Sequence, residues 1–350
     1  MKKRYKVFSV LFILAALGTA DCFYQINSNE EGTIKSNTAE QNAETKVDLE
    51  KFEYVFQPHV ISKEYLAVYG ADIERIFYDF SDAVWNGEDT FPCPSIEKFR
   101  EVLSVSVNCL PIAAQYVDKD KICVENGIGY IAYTIEKTEL LSRIAAFREK
   151  VTHVITSAVP YREEPFVMAI ELLTAVAHKN QYDEESLSLE HALKWKPYRA
   201  IMEDKGICQE FAGEYIYYLL QVGINATTCS ALSRDKETAH TWVLLELDHE
   251  WYHADPTFTL AYKDSLAFFG LNDVMREQYG DFPAANFSFA ESDLIRYEAD
   301  SKRFMPLWNA ESYEIDRENK RIVLKSFYSG EEKEYWYGAE EKTAASSMIE

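Results

Sequence analysis

Three residues of the types that thiol chemistry requires follow one another along the second half of the chain. Cys208 opens a helical pattern, and His240 and Asp255 lie on two consecutive runs that alternate like strands. In such a set the thiolate attacks a carbonyl, the imidazole carries the proton, and the carboxylate fixes the tautomer of the imidazole. The sequence therefore predicts a nucleophilic cysteine at position 208, with His240 and Asp255 as its partners.

The residues after Cys208 predict that its thiol lies at the start of a helix. Apolar residues recur at helical spacing from Phe211 to Val222, and Gly223 can take the positive φ that ends a helix. The positive end of the helix dipole stabilises a thiolate at that position. Gly206, just upstream, leaves room for a substrate carbonyl to approach.

His240 and Asp255 are predicted to lie on the two strands of a hairpin. His240 belongs to a run of period two that ends at Leu247, and a polar break at Asp248 and His249 separates that run from the next. A turn of two residues would place His240 and Asp255 on one face, as direct or diagonal neighbours. A turn of three residues would place them on opposite faces.

Three short motifs around these residues resemble the transglutaminase-like superfamily, in its secreted bacterial branch. They read Gly206-Ile207-Cys208-Gln209-Glu210-Phe211-Ala212, His240-Thr241-Trp242 and Trp251-Tyr252-His253-Ala254-Asp255-Pro256-Thr257. The resemblance covers about residues 165–260. It implies an α+β fold with a papain-like core, in which the cysteine helix packs on an antiparallel sheet bearing the histidine and the aspartate. A mostly helical N-terminal region and a small β-rich C-terminal element flank that core.

The resemblance also suggests groups that assist the nucleophile. The backbone N–H of Cys208, at the helix start, is one donor to the oxyanion of the reaction. Tyr198, by its position in the family pattern, and Trp195 behind it are candidates for the second donor. Trp242, on the same strand face as His240, is a further support candidate.

Active members of this superfamily form an acyl-enzyme on the cysteine and pass the acyl group to water or to an amine. A protein or peptide is therefore the expected substrate. Because water is the default acceptor, we favour a peptide or amide hydrolase slightly over a protein-glutamine transferase. A non-catalytic scaffold or binding module is the alternative. The sequence shows no calcium-binding loop pattern, and we expect no cofactor.

A different chemistry is suggested by the string His249-Glu250-x-x-His253, which is typical of zinc peptidases. That motif requires a helix, on which residues four apart face one metal ion. Asp273 lies at a plausible distance for a third ligand. However, an alternating pattern leads into the string and Pro256 would truncate a helix, so a zinc peptidase is the less favoured interpretation.

The first 20 residues predict a cleaved secretion signal. Four basic residues precede the apolar run from Val7 to Leu17, which is too short to span a bilayer comfortably, and Gly18-Thr19-Ala20 suits a signal peptidase. Cys22 leaves lipid attachment as an alternative, but Asp21 stands where such signals have a small neutral residue. We therefore expect a secreted or cell-surface protein that meets a membrane only if it is lipidated at Cys22.

The charge of the chain argues against several partners. Cleavage of the signal removes four basic and no acidic residues, so the formal charge changes from −22 to −26. A surface this negative repels nucleic acid and anionic lipid. We expect no nucleic-acid partner, and the sequence leaves the oligomeric state open.

The chain divides into five predicted segments, which are a signal peptide (1–20), a disordered tether (21–50), a mostly helical N-terminal region (51–160), a transglutaminase-like catalytic core (161–300) and a β-rich C-terminal element (301–350).

Beyond Cys22 there are five cysteines, namely Cys93, Cys109, Cys123, Cys208 and Cys229. An odd number leaves at least one thiol unpaired within the chain, which agrees with a free nucleophile, while the pairing of the other four stays open.

Overall fold

The computed structural model describes residues 49–186, 196–236, 238–289 and 296–337. The predicted secretion signal, nearly all of the tether, and Trp195 lie outside these ranges. Within them, no helix has both the length and the apolar character that crossing a bilayer requires.

The described helices are α1 (Lys63–Tyr69), α2 (Asp72–Asn86), α3 (Ile96–Cys109), α4 (Pro111–Tyr116), α5 (Lys137–Ala158), α6 (Pro165–Lys179), α7 (Pro197–Glu203), α8 (Cys208–Gln221), α9 (Pro256–Thr259) and α10 (Asp273–Gln278). The described strands are β1 (Thr90–Pro92), β2 (Cys123–Glu125), β3 (Ile128–Tyr130), β4 (Gln181–Tyr182), β5 (Lys205–Gly206), β6 (Ala226–Leu232), β7 (Ala239–Leu247), β8 (Glu250–Ala254), β9 (Ser288–Phe289), β10 (Ala310–Asp316), β11 (Arg321–Ser326) and β12 (Glu332–Trp336).

The first half of the described chain is mostly helical, in line with its sequence pattern. Its one small sheet has the strand order β1-β3-β2, and the β2–β3 hairpin turns at Asn126 and Gly127, both with positive φ. Ser95 caps α3 by accepting the N–H of Lys98 at 3.3 Å. Local capping and turn chemistry therefore fix where these elements begin and end.

Helix α8, which begins at Cys208, lies at the centre of the molecule. Every residue from Glu210 to Gln221 is buried, so the helix is covered on all sides rather than on one face. It packs against α3, α6 and α7 and against β6 and β7 of the largest sheet. The hydroxyl of Tyr215 donates to the backbone carbonyl of Ala169 in α6 at 2.8 Å. The position of the cysteine is thus set by core packing on both sides of its helix.

The largest sheet has the strand order β8-β7-β6-β9, and every neighbouring pair in it is antiparallel. A second antiparallel sheet, β10-β11-β12, follows at the C-terminal end of the described chain. Arg317 and Lys320, in the turn after β10, form ion pairs with the buried Glu163 at 3.5 and 3.0 Å. These contacts dock the C-terminal sheet beside the start of α6.

Candidate active site

Cys208 is the first residue of α8 and follows Ile207, the N-cap, which has extended backbone geometry. The carboxylate of Glu210 turns back to accept the N–H of Ile207 at 3.0 Å, and it also binds Arg199 at 3.0 Å. The first turn of a helix has N–H groups without intrahelical acceptors and carries the positive end of the dipole. Cys208 is partly exposed, so a thiolate stabilised there is open to a substrate.

A short parallel strand pair brings a tyrosine beside the start of this helix. Tyr182 of β4 pairs with Gly206 of β5, two residues before Cys208. A Cβ atom on Gly206 would lie 3.0 Å from the side chain of Glu210 and 3.2 Å from that of Phe211. A side chain at position 206 would therefore have to displace that of Glu210 or Phe211, because the helix start packs directly against Gly206.

The hairpin of β7 and β8 carries the histidine and leads to the aspartate. Its turn has two residues, Asp248 and His249, both with positive φ as a type I′ turn requires. Extending the β7–β8 register by one residue sets Asp255 opposite Trp242, and therefore diagonal to His240 on the same face. The Nε2 atom of His240 lies 2.7 Å from Oδ2 of Asp255.

Each oxygen of the Asp255 carboxylate accepts two hydrogen bonds. Oδ1 accepts the N–H groups of Thr257 and Phe258 at 3.0 and 3.1 Å, because Asp255 is also the N-cap of α9. Oδ2 accepts from His240 and, at 3.1 Å, from the guanidinium of Arg276. Burial by itself would raise the pKa of Asp255, but His240, Arg276 and the backbone donors hold it below its ordinary value. The carboxylate therefore stays ionised.

The imidazole of His240 is buried between the carboxylate and the thiol. Burial lowers its pKa, but the charge and hydrogen bond of Asp255 and the hydrogen bond and charge of Cys208 together raise it to about 9. Since Nε2 is bound to Asp255, the nitrogen available to Cys208 is Nδ1. At neutral pH this ring can therefore hold a proton.

The superfamily match falls on this part of the chain. The model of the family described as "Transglutaminase-like superfamily" matches residues 154–256, a range that contains Cys208, His240 and Asp255. Residues 154–256 are thus similar to the transglutaminase-like superfamily. The α+β fold predicted from the sequence, with the cysteine helix against an antiparallel sheet, is confirmed by this match and by the arrangement of α8 on β6 and β7.

Two solved structures also match, at low similarity. One is the crystal structure of a TGase, with 11% identity and a TM-score of 0.29. The matched region covers 39% of this chain and 43% of the TGase chain. The other, from Cytophaga hutchinsonii, is described provisionally as a cysteine protease, with 12% identity and a TM-score of 0.27. The matched region covers 47% of this chain and 56% of the Cytophaga chain. The chain thus spans about half the length of these structures, and the likeness carries no argument about activity. No curated protein gives a significant match.

Of the three residues expected to support the nucleophile, the structure describes Tyr198 and Trp242. The hydroxyl of Tyr198 accepts a hydrogen bond from that of Tyr116 at 3.0 Å, and its ring stacks on Phe147 at 5.9 Å. Both contacts join Tyr198 to the helices α4 and α5. Its role as the second donor to the oxyanion stays a prediction. Trp195 lies outside the described residues. Trp242 does lie beside the site, with its ring centroid 5.8 Å from that of His240.

The His-Glu-x-x-His string lies in a hairpin turn and a strand, so it lacks the helix that the zinc-peptidase alternative requires. His249 lies in the hairpin turn and is almost fully exposed, whereas His253 lies in β8 and is completely buried. Both ring nitrogens of His253 are engaged, Nδ1 with the indole N–H of Trp242 at 2.9 Å and Nε2 with Asp273 at 2.8 Å. Among the described residues, no three His, Cys, Asp or Glu side chains are grouped to hold a metal ion.

Two residues of the site were not identified from the sequence. Tyr182 is close enough to Cys208 that, after burial, the charge of the thiolate is the largest influence raising the pKa of its hydroxyl. Arg276 contacts Asp255 from α10. Neither belongs to one of the three motifs, because strand pairing and packing bring them to the site from outside those segments.

The five cysteines in the described part of the chain are all free thiols. Cys93, Cys109 and Cys229 are buried, whereas Cys123 is exposed and Cys208 is partly exposed. Burial raises the pKa of the Cys229 thiol well above its ordinary value and that of Cys109 to about 12. The buried thiols therefore behave as small apolar side chains rather than as nucleophiles.

Proposed function

We propose that this chain is an exported cysteine-dependent enzyme that cleaves amide bonds in proteins or peptides through an acyl-enzyme on Cys208. The observation that carries the proposal is the 2.7 Å contact between Nε2 of His240 and Oδ2 of Asp255, on a buried ring whose pKa Cys208 also helps to raise. A buried carboxylate that fixes one nitrogen of an imidazole leaves the other nitrogen oriented for a thiol.

In the first half of the proposed reaction, the Cys208 thiolate attacks the amide carbonyl carbon, and the carbonyl oxygen takes up the negative charge. The backbone N–H of Cys208 is one donor to that oxygen, and the hydroxyl of Tyr182 is the second donor that we propose in place of Tyr198. His240 then gives its Nδ1 proton to the leaving nitrogen, the C–N bond breaks, and a thioester remains on Cys208.

In the second half, water attacks the thioester carbonyl. His240, now neutral, accepts a proton from that water at Nδ1, while Asp255 keeps the Nε2–H oriented. Collapse of the intermediate releases the acid and restores the thiolate and the imidazolium. A primary amine in place of water would form a new amide by the same steps.

Hydrolysis is the outcome that we favour over transfer. Cys208 is partly exposed, so water can reach the thioester. A transferase must keep water from the acyl-enzyme long enough for an amine to bind. The substrate is expected to be a polypeptide because members of this superfamily act on amide bonds in proteins and peptides.

The test is incubation of the full chain and of Cys208→Ala with dimethylcasein and dansylcadaverine. We expect release of ammonia or new peptide termini from the wild type, little dansyl incorporation, and neither product from the variant. Dansyl incorporation as the main product would make the enzyme a transferase.

A parallel labelling experiment separates an enzyme from a non-catalytic scaffold. Iodoacetamide at neutral pH should alkylate Cys208 much faster than Cys123, an exposed thiol of the same chain that serves as the internal standard. Equal rates, together with no product from casein, would favour the scaffold.

Export is the remaining part of the proposal. Expression of the full chain in a bacterial host should yield a mature protein outside the cytoplasm whose first residue is Asp21. A lipid-modified N-terminus at Cys22 would indicate an anchored form, and an intact Met1 in the cytoplasm would contradict export.

A further inference from the structure

Arg276, in α10, is a completely buried arginine that contacts the proposed catalytic carboxylate. Its Nη2 donates to Oδ2 of Asp255 at 3.1 Å, and its Nη1 donates to the backbone carbonyl of Tyr279 at 2.8 Å. A guanidinium without access to water is costly unless an opposite charge and hydrogen bonds compensate for the lost hydration. Asp255 supplies that charge, through the same oxygen that binds His240.

Three aromatic rings enclose both Arg276 and His240. The guanidinium lies 4.0 Å from the ring centroid of Trp242 and 5.3 Å from those of Phe258 and Phe282. The imidazole of His240 stacks with the same rings, at 5.8, 5.0 and 5.4 Å respectively. Cation–π attraction compensates part of the desolvation of the guanidinium. Histidine and arginine are thus held around one carboxylate oxygen within a single apolar shell.

The other titratable groups that face Arg276 are neutral at physiological pH. Burial raises the pKa of the Cys229 thiol, on β6, well above its ordinary value, and it likewise raises the pKa of Tyr279, which follows α10 directly. Burial lowers the pKa of His253, on β8, despite its hydrogen bond to Asp273. The charge of Arg276 therefore acts mainly on Asp255.

We propose that Arg276 is a positioning residue of the enzyme proposed above: it holds Oδ2 of Asp255 and offsets the carboxylate charge, so that His240 is fixed but can still release its proton. This inference rests on the proposed function. Without the guanidinium, the full charge of the carboxylate would act on His240. The imidazolium would then hold its proton too tightly to donate it efficiently to a leaving amine.

The test follows the titration of His240 by NMR of its ring signals in the full chain, with His240→Gln used to identify them. The wild-type midpoint should lie near pH 9. Arg276→Lys keeps the charge and should keep that midpoint. Arg276→Met removes the charge at similar volume, and its midpoint should rise by about one pH unit, while its turnover of casein falls about tenfold.

Arg303→Met is the matched control. Arg303 pairs instead with Asp248, in the turn of the same hairpin, at 2.5 Å. Its removal should leave the His240 midpoint unchanged. An unchanged or lower midpoint in Arg276→Met would overturn the proposal.

Misfolding of the methionine variant would not end the test. Arg276→Gln, which keeps a donor for Asp255 without the charge, would then take its place with the same expected rise. If neither uncharged variant folds, the arginine is structural and the proposal fails. The titration needs no turnover, so its outcome is separate from that of Cys208→Ala, which decides the proposed function.

Discussion

His253 and Asp273 form a second buried imidazole–carboxylate pair, with Nε2 of the ring 2.8 Å from Oδ1 of the carboxylate. The opposite ring nitrogen accepts the indole N–H of Trp242 at 2.9 Å. Because burial lowers the pKa of His253, the ring is neutral and donates its Nε2–H to Asp273. The pair joins β8 to the first residue of α10, the short helix that supplies Arg276 to the active site.

Replacement of His253 by leucine should destabilise the protein. The substitution leaves the indole N–H of Trp242 and the carboxylate of Asp273 without their partner in the interior. Unfolding in urea should show a loss of about 3 kcal/mol in the free energy of unfolding. An unchanged free energy would contradict the role of this pair.

His249→Asn is the control that the same string offers. The His249 side chain is almost fully exposed in the hairpin turn, and asparagine adopts the positive φ of this position, so loss of the imidazole should change neither stability nor activity beyond experimental scatter. A zinc enzyme would instead lose activity in both histidine variants and on treatment with a chelator. We expect a chelator to leave activity unchanged.

Replacement of Asp255 by asparagine should abolish most activity and should also destabilise the fold, because the buried Arg276 loses its opposite charge. Asparagine can accept the N–H groups of Thr257 and Phe258, but it no longer fixes the tautomer or the charge of His240. The turnover number should fall by about a thousandfold. Asp264→Asn is the control, since Asp264 also binds a histidine, His178, at 2.7 Å but on the surface. Equal losses in the two variants would contradict the assignment.

The stability of the protein should depend on the ionisation of His240. Folding raises the pKa of this histidine from 6.5 to about 9, so the folded state binds the proton more tightly than the unfolded chain does. The resulting stabilisation is fully present below about pH 6.5 and is lost as the pH rises through about 9.

The measurement is the free energy of unfolding in urea for the wild type and for His240→Gln, between about pH 6 and about pH 10. The difference between the two proteins should shrink by about 3 kcal/mol across that range. A difference that does not change with pH would show that the proton on His240 contributes nothing to folding.

Removal of the Tyr182 hydroxyl should slow the chemical step. If this hydroxyl donates to the oxyanion, Tyr182→Phe lowers kcat by about a hundredfold and leaves KM nearly unchanged. Tyr198→Phe should keep the wild-type kcat and lose only about 1 kcal/mol of stability, because the Tyr198 hydroxyl bonds Tyr116 instead. The opposite ranking of the two variants would restore Tyr198 as the donor.

Much of the geometry around the nucleophile could be predicted because it depends on local patterns. Helical spacing after Cys208 placed it at a helix start, and the alternation on both sides of Asp248 and His249 gave a hairpin with two possible turns. The structure has the two-residue turn, so His240 and Asp255 are diagonal neighbours. The hydrogen bond from Tyr116 to Tyr198 could not be predicted, because the partner of a tyrosine hydroxyl depends on the packing of distant helices, which a position relative to the cysteine does not reveal.

The sequence by itself determined the order and type of the elements that carry Cys208, His240 and Asp255, because periodicity, capping and turn propensity act over a few residues. Only the tertiary structure decided that Tyr182 lies beside the thiol and that Arg276 binds the carboxylate. Those contacts join segments that are separate along the chain, and they form because burial of the surrounding aromatic side chains brings the segments together. Hydrophobic burial is not directional, so no local pattern specifies which polar groups meet inside it.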